Sequence, residues 1–464
     1  MLIRSRLDYG SFLYDTSAKS NISKLDLIQN QAMRLIGGFV KSTPIHVMES
    51  ELCLPPLFLR RRFLAGKFYL KSKSIRDGET ISSISKLADL CSGHSYWRGK
   101  KNPLLVEIHR ENCDTNVYTS LKPEMFSLST WMINIDIKSC ICLGIEKLDR
   151  PKRALNCLFI LSNTVTYINK NYKNYYKLYT DGSKSSNGVG ASFYDPQINL
   201  KAYFTLNRKH SIMSAELHAI SESLSYIKTC SYSNYVILCD SKSALQHLAR
   251  CSSSIRGLPI AYVIIDSLLE LQRIDVNVKF QWVPSHIGLT GNEQADELAQ
   301  LGAHSGIVVH QPPFFTDLLP DLKNNCHSLW KTHFDDRSME KGIWYRTLCN
   351  EPPKIPWFIS IKADRIRLTT LMRLRSGHVP LNAFGYMMKV CMSPDCSLCK
   401  KREDLYHALV ECARVESERR RFEADAGVAL TQLGCVSAIL AQPKDPVCWG
   451  LVNLYLNFIK CRAN

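Results

Sequence analysis

Between about Tyr176 and His304 the hydrophobic pattern changes period in a fixed order, and that order constrains the fold of this chain more than any other feature. YYKLYTDGSK, GVGASFYD and KAYFTLNR are short, β-rich and separated by turn residues, the pattern of three consecutive antiparallel strands. SAELHAISESLSYIK then repeats apolar residues at helical spacing, and YVILCD is a short apolar run rich in β-branched residues. SKSALQHLAR and LPIAYVIIDSLLELQR read as helices, VNVKFQWVPS as a strand and TGNEQADELAQLG as a last helix. Three antiparallel strands followed by strands alternating with helices predict an α/β fold, a mixed five-stranded sheet with helices on its faces.

At 464 residues the chain exceeds what one core organises, so further domains are expected around this one. Residues 1–75 read as helical: Leu25, Ile28, Ala32 and Leu35 form an apolar stripe closed by Gly37 and Gly38, and further helices follow Pro44 and Pro56. Residues 76–170 have weak periodicity and read as a connector with some structure of its own, Cys140 and Cys142 being buried thiols. The α/β domain spans 173–307, and 308–464 is again mainly helical. The basic stretch with Arg365, Arg367, Arg373 and Arg375 has two readings, phosphate contact or a solvated face around a Leu-rich stripe.

Apolar residues at 45% and charged residues at 22% are globular usage, and a net charge of +17 favours a polyanionic partner, nucleic acid first. Eighteen cysteines in a long chain whose start, MLIRSRLDYG, lacks an apolar signal core point to reduced thiols and an intracellular protein of nucleus or cytoplasm. No apolar run approaches the roughly 20 residues that cross a bilayer, so no membrane partner is expected.

Phosphodiester cleavage by two metals needs several carboxylates at one point, because hard divalent ions prefer oxygen ligands and two ions roughly 4 Å apart must have their charge neutralised. Asp181 follows the first strand, where Gly182 allows close backbone approach; Glu216 lies early in an otherwise apolar-patterned helix; Asp240 ends the strand YVILCD; Asp296 lies in the first turns of the last helix. Singly, each has an ordinary explanation as a turn former, solvated helix residue, helix cap or dipole partner. Jointly they carry the strand and helix order in which four acids would meet.

The words YTDGS, SAEL, CDSKSAL and WVPSHIGLTGNEQADELA, in that order over about 130 residues, resemble the ribonuclease H family, specifically the form attached to reverse transcriptases of non-LTR, jockey-like retrotransposons. The resemblance implies that Asp181, Glu216, Asp240 and Asp296 hold two Mg²⁺ ions, with Mn²⁺ as a substitute, one activating water and one stabilising the leaving 3′ oxygen. The substrate implied is the RNA strand of an RNA–DNA hybrid, cut internally to 5′-phosphate and 3′-hydroxyl ends. His286 matches the family histidine that assists proton transfer or product release, Glu293 takes an outer role, and Asn292 shapes the helix start. The chain departs from the family at Ile212 and Met213, where polar residues often read hybrid hydroxyls, and in the short stretch from Leu248 to Pro259, which supplies no basic protrusion.

The opening words SRLDYG, LDLIQNQAMRLIGG, STPI and PPLFLRRR resemble the post-palm, thumb-like tail of the same proteins. A YxDD word is absent, so no DNA synthesis is expected, and the resemblance implies an N-terminally truncated element or partial gene model with a reverse transcriptase as partner in cis or in trans. Near the other end Cys396, Cys399, His407 and Cys412 form a C-x2-C-x7-H-x4-C pattern able to close a tetrahedral Zn²⁺ shell, with Cys391 as a lower-ranked ligand. The rival function is a non-catalytic nucleic-acid-binding protein that keeps the fold and the zinc cluster.

Overall fold

A computed structural model describes residues 2–76, 78–119, 137–148, 154–251 and 257–463; parts of the connector and of the stretch from Leu248 to Pro259 lie outside these residues. The described chain divides into two compact units, one made of residues 67–90 and 109–320, the other of residues 1–66, 91–108 and 321–464.

The first unit contains the expected mixed sheet. Its strands are β1 (Ile141–Cys142), β2 (Tyr176–Lys184), β3 (Val189–Asp195), β4 (Leu200–Leu206), β5 (Asn234–Cys239), β6 (Asn277–Trp282) and β7 (Ile307–Val308), in the order β1-β6-β5-β2-β3-β4-β7. β2, β3 and β4 are antiparallel neighbours, while β5 joins β2 and β6 joins β5 in parallel. The body is the predicted five strands. Two-residue strands extend both edges, β1 from the connector beside β6 and β7 beside β4, each too short to show as a period in the sequence.

Among the described residues five helices cover the sheet: α1 (Cys157–Asn171), α2 (Ile212–Ile227), α3 (Lys242–Cys251), α4 (Pro259–Arg273) and α5 (Thr290–Ser305). Side chains alternate along each strand, so Leu178 and Ile237 pack in one core with Leu217 of α2 and Ile264 of α4. Tyr179, Val236 and Leu238 face a second core with Ile160 of α1 and Ala295 of α5. With both faces covered, β5 is apolar throughout its buried part, Tyr235–Cys239, which is why YVILC shows no alternation.

Asp181 does not follow the first strand but lies within it, because pairing with β3 continues through Asp181 opposite Ser192 and Gly182 opposite Ala191 as far as Lys184. Cys140 and Cys142 are half-buried rather than buried, since they sit on and beside the sheet edge.

In the second unit the two ends of the chain share one core. Met33, Phe39, Met48 and Leu52 pack with Leu371, Leu374, Leu451 and Phe458. The helix Lys19–Gly37 ends at Gly38, which caps it in the left-handed conformation, but its core face is not the expected stripe: Gln29, Asn30, Met33 and Gly37 are buried while Ile28 and Leu35 are exposed. The basic helix Arg365–Ser376 keeps a buried stripe with Leu371 and Leu374, as the second reading had it, but its arginines are not simply solvated. Arg375 is buried against the carboxylate of Glu51 at 2.8 Å, Arg373 donates to the Gly38 carbonyl and Arg365 to the Leu35 carbonyl, so three of its arginines bind the N-terminal segment. Arg365 and Arg367 stay exposed, Arg367 beside Asp364.

Candidate active site

The acids meet because glycines let helices approach the sheet. A Cβ on Gly182 would lie 2.6 Å from the Glu216 amide, so the start of α2 rests directly on β2, one residue from Asp181. On the neighbouring strand, a Cβ on Gly190 would lie 2.1 Å from the Ala299 carbonyl, and Ser192 donates to the Ala295 carbonyl at 2.6 Å. These approaches bring α5, and with it Asp296, over the same end of β2. Asp240 follows the last residue of β5, at the carboxyl end of two parallel strands.

Ligand oxygens of Asp181, Glu216 and Asp240 all lie within 4.8 Å of one another. Asp296 groups instead with His286 and Glu293, again within 4.8 Å, and its charge acts on Asp181 and Glu216. Burial, then repulsion from Asp240 and Asp296, pushes the Asp181 carboxyl up to about 9. Burial and the same neighbours raise Glu216 well above the carboxylate range. Burial also raises Asp240, opposed by a hydrogen bond from Asn292 Nδ2 at 3.2 Å. Acids this close and this desolvated resist ionising together, and a cation between them removes that resistance.

His286 sits in the β6–α5 loop with its side chain exposed and Nδ1 3.6 Å from Asp296. Its backbone is left-handed at φ 49°, held between buried Val283 and Ile287 and fixed by Glu293, whose carboxylate accepts from the Gly288 amide at 3.0 Å. Ile212 is exposed and Met213 half-buried at the start of α2.

Three contacts were not legible in the sequence. Asn292, read as shaping a helix start, is buried and donates to Asp240. Cys239 lies beneath the acids with its thiol 3.9 Å from Glu216, and Trp282 donates to the Asp240 carbonyl at 3.0 Å. The word GNExAD carries Asn292, but only β5–α5 proximity reveals its target.

In the other unit, ligand atoms of Cys396, Cys399, His407 and Cys412 lie within 4.8 Å of one another. The Cys399 and Cys412 sulfurs are 3.7 Å apart, the edge expected of a tetrahedron with metal–sulfur bonds of about 2.3 Å. His407 is buried, and neither ring nitrogen has a hydrogen-bond partner among the described residues; the Glu411 carboxylate, 3.5 Å from Nδ1, is not aligned for one. Burial acts to raise the Cys396 thiol, but backbone hydrogen bonds, first that of Cys399, and the neighbouring His407 and Arg414 side chains bring it down to about 6. Cys391 stands outside this cluster.

A mixed sheet with acids gathered from β2, α2 and the end of β5 defines the class of this domain, and comparison with known proteins agrees. Residues 173–304 match the RNase H family and form an RNase H domain. Ribonuclease H1 of Homo sapiens is 27% identical over 141 residues, 27% of this chain and 49% of that protein. Ribonuclease H1 of Rattus norvegicus is 27% identical over 143 residues with the same coverage. The chain thus spans about half the length of the curated relatives it matches.

Proposed function

We propose that residues 173–307 form an endonuclease that hydrolyses the RNA strand of an RNA–DNA hybrid with two divalent metal ions, within a protein of jockey-like retrotransposon origin. One observation carries the reading: carboxylate oxygens from Asp181, Glu216 and Asp240, far apart in sequence, gather within 4.8 Å. The donor set fits hard divalent ions, since it offers oxygen only and its proton affinities are raised by burial and mutual repulsion. Asp181, Glu216, Asp240 and Asp296 would hold Mg²⁺, or Mn²⁺ in its place; bound ions there supply Lewis acidity toward the scissile phosphate and lower the pKa of attacking water.

The rest of the work falls to the chain. Asn292 fixes the rotamer of Asp240 by donating to it. Glu293 fixes the loop through the Gly288 amide, so that His286 stands at the exposed edge beside Asp296, where it can take up or release a proton as product leaves. With Ile212 and Met213 at the start of α2, selection of the hybrid through its 2′-hydroxyls rests on backbone groups or is weaker than where polar residues stand there. Cys396, Cys399, His407 and Cys412 would hold Zn²⁺ in a structural role. The hybrid would come from a reverse transcriptase in cis or in trans inside the cell, with no DNA synthesis by this chain.

Incubating the protein with an end-labelled RNA–DNA hybrid and Mg²⁺ tests the reading. Cleavage of the RNA strand that disappears in Asp240→Asn, with hybrid binding retained, is the expected result. Hybrid binding without cleavage by the parent chain would instead establish the non-catalytic rival.

A further inference from the structure

The unit built from both chain ends contains an open cavity of about 550 Å³, within the roughly 300–1,000 Å³ of sites that enclose small ligands. Its lining is mostly apolar. Leu59 and Trp330 are buried, and Phe63 and His327 line it as well, the His327 and Trp330 rings meeting edge to face. Positive charge surrounds these walls: Lys323 and Lys354 are exposed, Arg4 and Arg60 half-buried.

Little negative charge answers them. Asp8 pairs with Arg60 through a bidentate contact, and Glu351 pairs with Lys331. Glu49, near Arg4, is raised by burial to about 8 and is mostly protonated at neutral pH. The wall residues also carry two buried donors without hydrogen-bond acceptors among the described residues, Arg4 Nε and Trp330 Nε1.

We propose that this cavity binds an unpaired nucleotide of a single-stranded nucleic acid, the base against the Trp330 and Phe63 walls and the phosphates at Lys323 and Lys354. The ligand that fits must have apolar flat faces, hydrogen-bond acceptors on its edge and an anionic tail, and a nucleobase with its phosphate has all three. An acidic peptide would meet the cations but leave the aromatic walls bare. A fully paired duplex keeps its bases stacked inside and presents no face to enter.

The test uses the full chain and a fluorescein-labelled single-stranded oligodeoxynucleotide, which a hybrid nuclease does not cut, so the outcome is independent of the nuclease reading. Anisotropy titrations over a range of salt compare the parent with the double variant Lys323→Glu and Lys354→Glu, both changes at exposed positions. A tenfold or larger loss of affinity is expected, with the slope of log affinity against log salt reduced by about 1.4 for two lost phosphate contacts. A halogenated uracil in the strand should photo-crosslink to Trp330 or Phe63. Unchanged affinity and slope, or crosslinks confined to other regions, overturn the proposal. So does competition by a mononucleotide or by an acidic peptide as effective as that of the unlabelled strand.

Discussion

Burial sets the proton affinity of Asp181 before any neighbour acts on it, and the consequence for stability has a definite sign. Its carboxyl titrates at about 9 in the folded chain against 3.8 as a free side chain, so the native state favours the protonated form. That preference stabilises the fold fully below pH 3.8 and is lost as pH rises toward 9. The domain freed of Mg²⁺ is therefore expected to melt at falling temperature between pH 5 and about 9, and Mg²⁺ should restore it most at the alkaline end. Asp181→Asn should flatten the profile and raise the alkaline melting temperature by about 2–4 °C for each kcal/mol gained; calorimetry across pH checks this, and an unaltered slope in the variant would contradict it. Asn292 acts one step further out. Asn292→Ala should lower hybrid cleavage by about 10–100-fold and raise the Mg²⁺ concentration for half-maximal rate, while circular dichroism stays the same. The grouping of Asp181, Glu216 and Asp240 was legible because their words occur in order, whereas the partner of Asn292 was not, since it lies 52 residues away across β5 and α5.

Elements obey the same division between local pattern and long-range partner. The order of strands and helices was readable from period changes, because each element of the domain is amphipathic or wholly apolar over at least one full repeat. The edge strands β1 and β7 were not, since two residues carry no period. Nor was the anchor of α2. Asp317, in the segment after β7, accepts from the Ser214 hydroxyl at 2.8 Å and from the Ser211 and Phe314 amides, and its carboxylate lies 3.2 Å from His210 Nδ1. Burial alone would raise this acid, yet the donors from His210, Ser211 and Ser214 lower it. In sequence, PPFFTDLLP falls in the stretch read as mainly helical and carries no signal of its own, but its aspartate pins the start of the helix that carries Glu216. Asp317→Ala would leave these buried donors unanswered and should cost about 2–4 kcal/mol in urea unfolding of the α/β unit. A change below about 0.5 kcal/mol would show that the cluster holds nothing in place. Gly182→Ala is a harsher case, since its methyl would press on the Glu216 amide and should reduce cleavage as well as stability by about 1–3 kcal/mol.

At the scale of the whole chain, the unit formed by its ends shows what a reading in chain order leaves out. Residues 1–75 and 308–464 carry separate helical patterns, and nothing local says that Met48 and Leu374 belong to one core. The stitching is polar as well as apolar: Glu51 accepts from Arg375 and from Trp357 Nε1, and Arg375 also donates to the Leu440 carbonyl. An arginine in a basic helix looks like a phosphate ligand until its buried acid, 324 residues earlier, is known. Removing one member of such a buried pair strands the other charge, so Arg375→Met should cost about 3–5 kcal/mol. The same architecture predicts that residues 321–464, although they hold the complete Cys/His cluster, do not fold alone, because deleting residues 1–66 uncovers the faces that receive Met33, Phe39 and Leu52. Expressed by itself with Zn²⁺, this fragment should give no cooperative unfolding transition. Co-expressed with residues 1–108, which supply Glu51 and the Asp15–Lys101 pair, it should copurify and unfold cooperatively. A lone fragment that melts cooperatively at the temperature of the complex would mean that the metal cluster and its surrounding helices are self-sufficient.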